Sequence, residues 1–84
     1  MTRENLYDIV SQFFEKYGYE LVDGVCNIKE EEDKFVISVN SESLDSGEFI
    51  DMMDDLENFL FYEEECQIIK SSYFNNQYLI KIKK

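Results

Sequence analysis

Two hydrophobic periods alternate along this chain, and the points where one gives way to the other divide it into six elements. Leu6, Ile9, Val10, Phe13 and Tyr17 fall on a single stripe at helical spacing. Thr2 stands where such a helix needs an N-cap, and Gly18 stands where it needs a stop. Glu4 in the first turn and Lys16 in the last suit the helix dipole.

Beyond Gly18 the period shortens to two. Tyr19 to Ile28 reads as an imperfect strand, with Leu21 and Val25 on one side, Val22, Cys26 and Ile28 on the other, and Gly24 as a bulge. Glu30 to Asp33 forms a solvated turn. Lys34 to Asn40 is a clear strand in which Phe35, Ile37 and Val39 alternate with Val36, Ser38 and Asn40. Together the two strands predict an antiparallel hairpin.

The helical period returns after a polar loop, Ser41 to Gly47, in which Ser43, Asp45 and Ser46 can each cap. Asp45 with Glu48 three residues later comes closest to a capping box. The second helix should bury Phe49, Met52, Met53, Leu56 and Leu60, with Phe59 flanking and Asp51, Asp54, Asp55 and Asn58 on the opposite stripe. Cys66 to Tyr73 and Gln77 to Lys84 then predict a second hairpin closed by Asn75 and Asn76, residues that tolerate positive φ. Tyr78, Ile80 and Ile82 face one way there; Leu79, Lys81 and Lys83 face the other. With Lys84, these lysines are expected on an edge strand, where they would oppose strand-to-strand aggregation.

The predicted fold is α+β in αββαββ order: one domain, residues 1–84, with a four-stranded antiparallel sheet and both helices on one face. A shift of 43 residues places Leu6 on Phe49, Asp8 on Asp51, Ile9 on Met52, Phe13 on Leu56, Phe35 on Tyr78, Ile37 on Ile80 and Val39 on Ile82. An internal duplication would produce this match; shared periodicity alone would produce most of it.

Composition changes the picture mainly through charge. Nineteen acids against eight bases give a net charge of -11, while 44% hydrophobic and 15% aromatic residues mark a folding sequence rather than a disordered one. This balance argues against direct nucleic-acid binding, which needs lysines and arginines at phosphates, and against anionic membranes. It suits a basic partner protein. Cys26 and Cys66 fit neither a disulfide framework nor a zinc site and read as reduced, small apolar residues. With no apolar leader or spanning run, the expected location is the cytoplasm.

Catalytic chemistry finds little support. Histidine is absent, and Gly18, Gly24 and Gly47 are too dispersed for a phosphate loop, so the expectation is a non-enzyme without cofactor. Glu30 to Asp33 and Glu63 to Glu65 are unbroken acidic runs. They lack the alternating ligands and interior glycine of a calcium loop, and no metal site is expected.

The stretch from Phe35 to Ile69 is the exception to this blandness. Its thirty-five residues hold ten acids and no lysine or arginine. Like charges three or four apart destabilise a helix slightly, and solvated helices usually mix both signs. Carboxylates at that spacing rise by about 4.5 to 6 Å, comparable with duplex DNA, which carries about one charge per 3.4 Å per strand. Asp51, Asp54 and Asp55, extended by Glu42, Asp45, Glu48 and Glu57, therefore form a candidate row of anions for an arginine- or lysine-lined groove. Binding also needs a desolvated anchor. Phe61 and Tyr62 read as core packing under the sheet edge, whereas Tyr73 and Phe74, beside the turn, are expected to be exposed and to serve as the anchor.

The chain has no alanine, proline, histidine or tryptophan and is rich in Ile, Asn, Lys, Phe and Tyr, as AT-rich coding sequences are. In size, acidity and composition it resembles the small inhibitors that phages and mobile elements direct against bacterial defence or repair enzymes, among them many anti-CRISPR proteins and the acidic uracil-DNA glycosylase inhibitors. The resemblance implies a stoichiometric inhibitor that mimics nucleic acid and occupies the basic groove of a nuclease or effector complex. Two other classes fit the same charge: an immunity protein or antitoxin against a cationic nuclease toxin, and a small acidic chaperone or assembly factor that dimerises through Val36, Leu79 and Ile69 on the open sheet face.

Overall fold

A computed structural model describes residues 1–18, 25–41 and 45–84. Its elements are α1 (Arg3–Lys16), β1 (Cys26–Glu30), β2 (Lys34–Asn40), α2 (Ser46–Tyr62), β3 (Ile68–Phe74) and β4 (Gln77–Lys83), the predicted αββαββ order. The four strands form one antiparallel sheet in the order β1-β2-β4-β3. The expectations for Leu21, Val22, Gly24, Glu42 and Ser43 lie outside the described residues.

Local chemistry explains each boundary. Thr2 caps α1 in a reciprocal box: its Oγ1 accepts from the Asn5 amide at 3.1 Å, while the Thr2 amide donates to Asn5 Oδ1 at 3.3 Å. Gly18, at φ +67°, ends the helix as expected. Asp45 Oδ1 caps α2 by accepting from the amides of Gly47 at 2.8 Å and Glu48 at 3.4 Å. Asn75 and Asn76 both have positive φ, 52° and 62°, the two-residue turn that matches the twist of flanking strands. Glu65 is less expected at φ 56°, a region that costs a side chain with a Cβ about 1–2 kcal/mol. It turns the chain out of α2 so that the Cys66 amide reaches the Leu60 carbonyl at 2.9 Å.

Three strand expectations need correction. Among the described residues β1 begins at Cys26, and it runs on to Glu30, because Lys29 and Glu30 still pair with Val36 and Phe35; the turn is shorter than the acidic run. β3 begins at Ile68 rather than Cys66, and an irregularity between Ile68 and Lys70 sets Ile69 apart from the ladder. β4 is not an edge strand. It lies between β2 and β3, so Lys81 and Lys83 stand on the open face of the sheet's centre, and the edges are β1 and β3. The β1 edge is blunted by Arg3, whose Nε donates to the Ile28 carbonyl at 2.5 Å.

One core joins the two layers. Cys26, Ile28, Phe35, Ile37, Val39, Tyr78, Ile80 and Ile82 meet Leu6, Val10, Phe13, Phe14, Phe49, Met52, Met53, Leu56 and Leu60, all buried, so both helices cover the same sheet face. The α2 stripe is as read from sequence. On α1, Phe14 is fully buried although the periodic stripe omitted it, Tyr17 is 48% exposed, and Ile9 packs at the margin. Both cysteines are free and buried; burial pushes Cys26 up to about 11 and raises Cys66, so both stay thiols at neutral pH.

The 43-residue shift is also a geometric relation. It carries β2 onto β4 end to end, and Ile37 faces Ile80, its own counterpart, across the central pair. A pseudo-two-fold axis normal to the sheet therefore passes between these two isoleucines. Among the buried positions at which the halves differ, Phe14 and Phe35 in the first correspond to Glu57 and Tyr78 in the second, where the Tyr78 hydroxyl donates to Glu57 Oε1 at 2.9 Å.

Glu65→Gly removes the left-handed penalty and should raise stability by about 1 kcal/mol, or Tm by about 4–8 °C for a domain of this size. Thermal melting of the two proteins checks this.

Candidate functional site

On α2, the residues pointing away from the core follow one another along the helix. Asp51, Asp54 and Asn58 are exposed, and the stripe continues into Phe61 and Tyr62, seven positions beyond Asp54 and Asp55. Phe61 and Tyr62 are 52% and 73% exposed, with their rings edge to face at 4.9 Å. The expectation that they pack under the sheet edge is thus overturned. Among the described residues, Leu60 is the last that the helix contributes to the core. Helical spacing from Asp54 carried the signal: positions 61 and 62 share the acids' face, not that of Leu56 and Leu60.

The acids expected to form one row divide by what holds them. Glu48, Asp51 and Asp54 are exposed and make no ion pair among the described residues. Asp55 accepts a hydrogen bond from the Tyr17 hydroxyl and so ties α2 to the end of α1. That bond and the neighbouring carboxylate push the Tyr17 phenol up to about 12. Glu57 leaves the row: it is half-buried and faces the sheet, where burial and then Glu57 raise the Tyr78 phenol against a lowering bond from Ser71. Asp45 is occupied as the helix cap. Glu42 lies outside the described residues.

The expected anchor at the hairpin tip is only half there. Phe74 is 76% exposed, but Tyr73 is half-buried, with its ring 5.7 Å from Phe49 and 6.2 Å from Tyr78. Alternation explains the split. Tyr73 pairs with Tyr78 on the core face, while Phe74 pairs with Gln77 on the open face. The hairpin tip therefore does not adjoin the outward stripe of α2.

The α2 stripe is held rigidly from both sides. Phe59 stacks on Phe13 at 5.6 Å and carries the Lys16 ammonium 4.8 Å above its ring, while Phe49 seats the other end of the helix on β3 and β4. Elsewhere, a cleft of about 670 Å³ opens at one end of the sheet, floored by Phe35 and Ile82 and rimmed by Glu30, Glu64, Lys83 and Lys84. The rim carries both signs, and Lys84 bridges to Glu30 at 2.7 Å. Among the described residues no group of three potential ligands could hold a metal ion, and no helix is long and apolar enough to cross a membrane.

Comparison with protein-family models, with curated proteins and with solved structures gave no match.

Because its folded pKa is raised, the Tyr17 bond contributes fully below pH 10 and is lost as pH climbs through about 12. Phenolate absorbance should show Tyr17 titrating late, and Tyr17→Phe should remove its contribution while leaving that of Tyr78, which is also raised. The same substitution should cost under about 1 kcal/mol at neutral pH, as expected for one half-exposed hydrogen bond.

Proposed function

We propose that the protein is a stoichiometric inhibitor that lays the outward face of α2 into the basic groove of a nucleic-acid-processing protein, such as a CRISPR effector or another bacterial nuclease. One observation carries the reading: exposed carboxylates at helical spacing, Asp51 and Asp54, run directly into an exposed aromatic pair, Phe61 and Tyr62, on a single rigid helix. The two kinds of residue do different work at an interface. Carboxylates steer the approach to a cationic groove and set its register, while buried aromatics set the lifetime of the complex. A groove that binds phosphates spaced along a strand offers cations at a repeat close to the carboxylate rise of a helix. The inhibitor offers no phosphodiester, so it occupies the groove without being turned over.

Further acids near the helix end extend the negative surface. Glu63, Glu64 and Glu65 follow the aromatic pair at the C-terminal end of α2, where the dipole disfavours them. An immunity protein against a cationic nuclease toxin would use the same surface in the same way. The difference lies in the identity of the enzyme, not in the chemistry of the contact.

The test uses purified protein against a panel of phosphate-binding targets: Cas nucleases, restriction nucleases, a uracil-DNA glycosylase and nuclease toxins, with nucleic-acid binding and cleavage as readouts. For the target that is inhibited, Asp51→Lys with Asp54→Lys should weaken inhibition by at least about 100-fold and leave the melting temperature near that of the wild type. Asp55 is left intact because it holds Tyr17. Phe61→Ser with Tyr62→Ser should speed dissociation more than it slows association. Equal inhibition by the Asp51, Asp54 variant would refute the proposed contact.

A further inference from the structure

The open face of the sheet carries the opposite charge. Lys29, Lys34, Lys70, Lys81 and Lys83 all project from it, five of the eight basic residues in a chain of net charge -11. Register places two like-charged pairs directly across from one another, Lys34 against Lys83 and Lys70 against Lys81. Such pairs are destabilising, and with nineteen acids in the chain they are easily avoided. Lys34 and Lys29 are neutralised by Glu31 and Asp33 at 3.2 to 3.6 Å. Lys70, Lys81 and Lys83 make no ion pair among the described residues.

The internal symmetry indicates that folding does not require these lysines. A shift of 43 residues takes Lys70, Lys81 and Lys83 to Asn27, Ser38 and Asn40, and takes Lys29 and Lys34 to Ser72 and Gln77. Each counterpart is neutral and polar in an equivalent strand position. The lysine stems flank Val36 and Leu79, both half-buried, so the patch is cationic at its heads and apolar at its base.

We propose that this face binds the α2 face of a second copy, joining molecules head to tail. Charge complementarity selects the occupant. A free nucleic acid meets a molecule of charge -11, whereas the acidic α2 face is a short, rigid strip that fits locally. Lys81 and Lys83 are about 6.7 Å apart along β4, and Asp51 and Asp54 are about 4.5 Å apart along α2, a difference that flexible lysine stems span, so a helix laid along the strand brings opposite charges together. The two surfaces lie on opposite sides of a two-layer molecule, so no copy satisfies its own. The contact is heterologous and extends as a chain unless it closes. Four strands of five to seven residues cover roughly 400 Å², half of a standard partner surface of about 800 Å², which makes the association weak. It is also mutually exclusive with docking of α2 on a target, and it does not depend on what that target is.

Salt dependence gives the contact a signature. At about 0.01 M salt the screening length of about 30 Å spans the molecule and the whole charge repels; at about 0.1 M it falls to about 10 Å and only facing surfaces interact; at about 1 M the contact itself is screened. Sedimentation velocity at roughly 0.1–1 mM protein, where weak contacts are populated, should give an average mass that peaks near the middle salt. Lys70→Asn, Lys81→Ser and Lys83→Asn, which borrow the residues of the symmetric half, should yield a folded monomer. Asp51→Lys with Asp54→Lys should also be monomeric. Mixing these two variants should restore one interface only and stop at a heterodimer. The lysine variant should keep full activity against any target that the wild type inhibits, which separates this proposal from the inhibitor reading. A wild type that is monomeric at every salt, a lysine variant that still assembles, or a mixture that stays monomeric or grows past a dimer would each overturn it. So would loss of a bound oligonucleotide or acidic peptide on lysine substitution in a monomeric wild type, which would assign the face to that anion instead.

Discussion

Everything in this molecule depends on the pairing of β2 with β4. Neither helix–hairpin half has a sheet wide enough to bury a helix, and a lone two-stranded hairpin is marginal in water. The central pair joins the halves about Ile37 and Ile80, and the four-stranded surface that results accepts both helices on one side. The apolar contents of each half then complete the other's core: Phe13 of α1 meets Phe59 of α2, and Tyr17 is held by Asp55. Among the described residues a single buried cluster carries the fold of this small domain.

A consequence of two layers is that each has one uncovered surface, and here those surfaces carry opposite charge. The helix layer presents Asp8, Asp51 and Asp54, while its two bases are engaged, Arg3 with the Ile28 carbonyl and Lys16 over Phe59. The sheet layer presents lysines. Net charge alone describes an acid; the fold makes it bipolar. This separation is a product of topology, because β4 becomes central only when its partner is β2 as well as β3.

Much of the fold was legible in the sequence because its signals are local. Thr2, Asp45, Gly18 and the Asn75-Asn76 pair act on their own backbone, and the stripe from Phe49 to Leu60 needs only helical spacing. What was missed depends on distant partners. Phe14 is buried because a sheet lies beneath it, Glu57 turns inward because Tyr78 offers a hydroxyl, and β4 is central because of a pairing that no local pattern encodes. The candidate site was legible in part. Asp51 and Asp54 stand where periodicity put them, whereas the aromatic pair was assigned to the core although its spacing from Asp54 placed it with the acids. Tyr73 and Phe74 look alike beside the turn, but strand alternation sends them to opposite faces.

The central claim is that the acidic, aromatic-ended face of α2 is a surface for a basic nucleic-acid-binding protein. It is tested most directly by immobilising the wild type and the Asp51→Lys, Asp54→Lys variant side by side, passing lysate of a low-GC bacterium over both, and eluting with salt and then with duplex DNA or RNA. The account predicts a nuclease or nucleic-acid-binding complex retained by the wild type alone and released by either eluant. Retention of the same proteins by both baits, or release by neither salt nor nucleic acid, would contradict it.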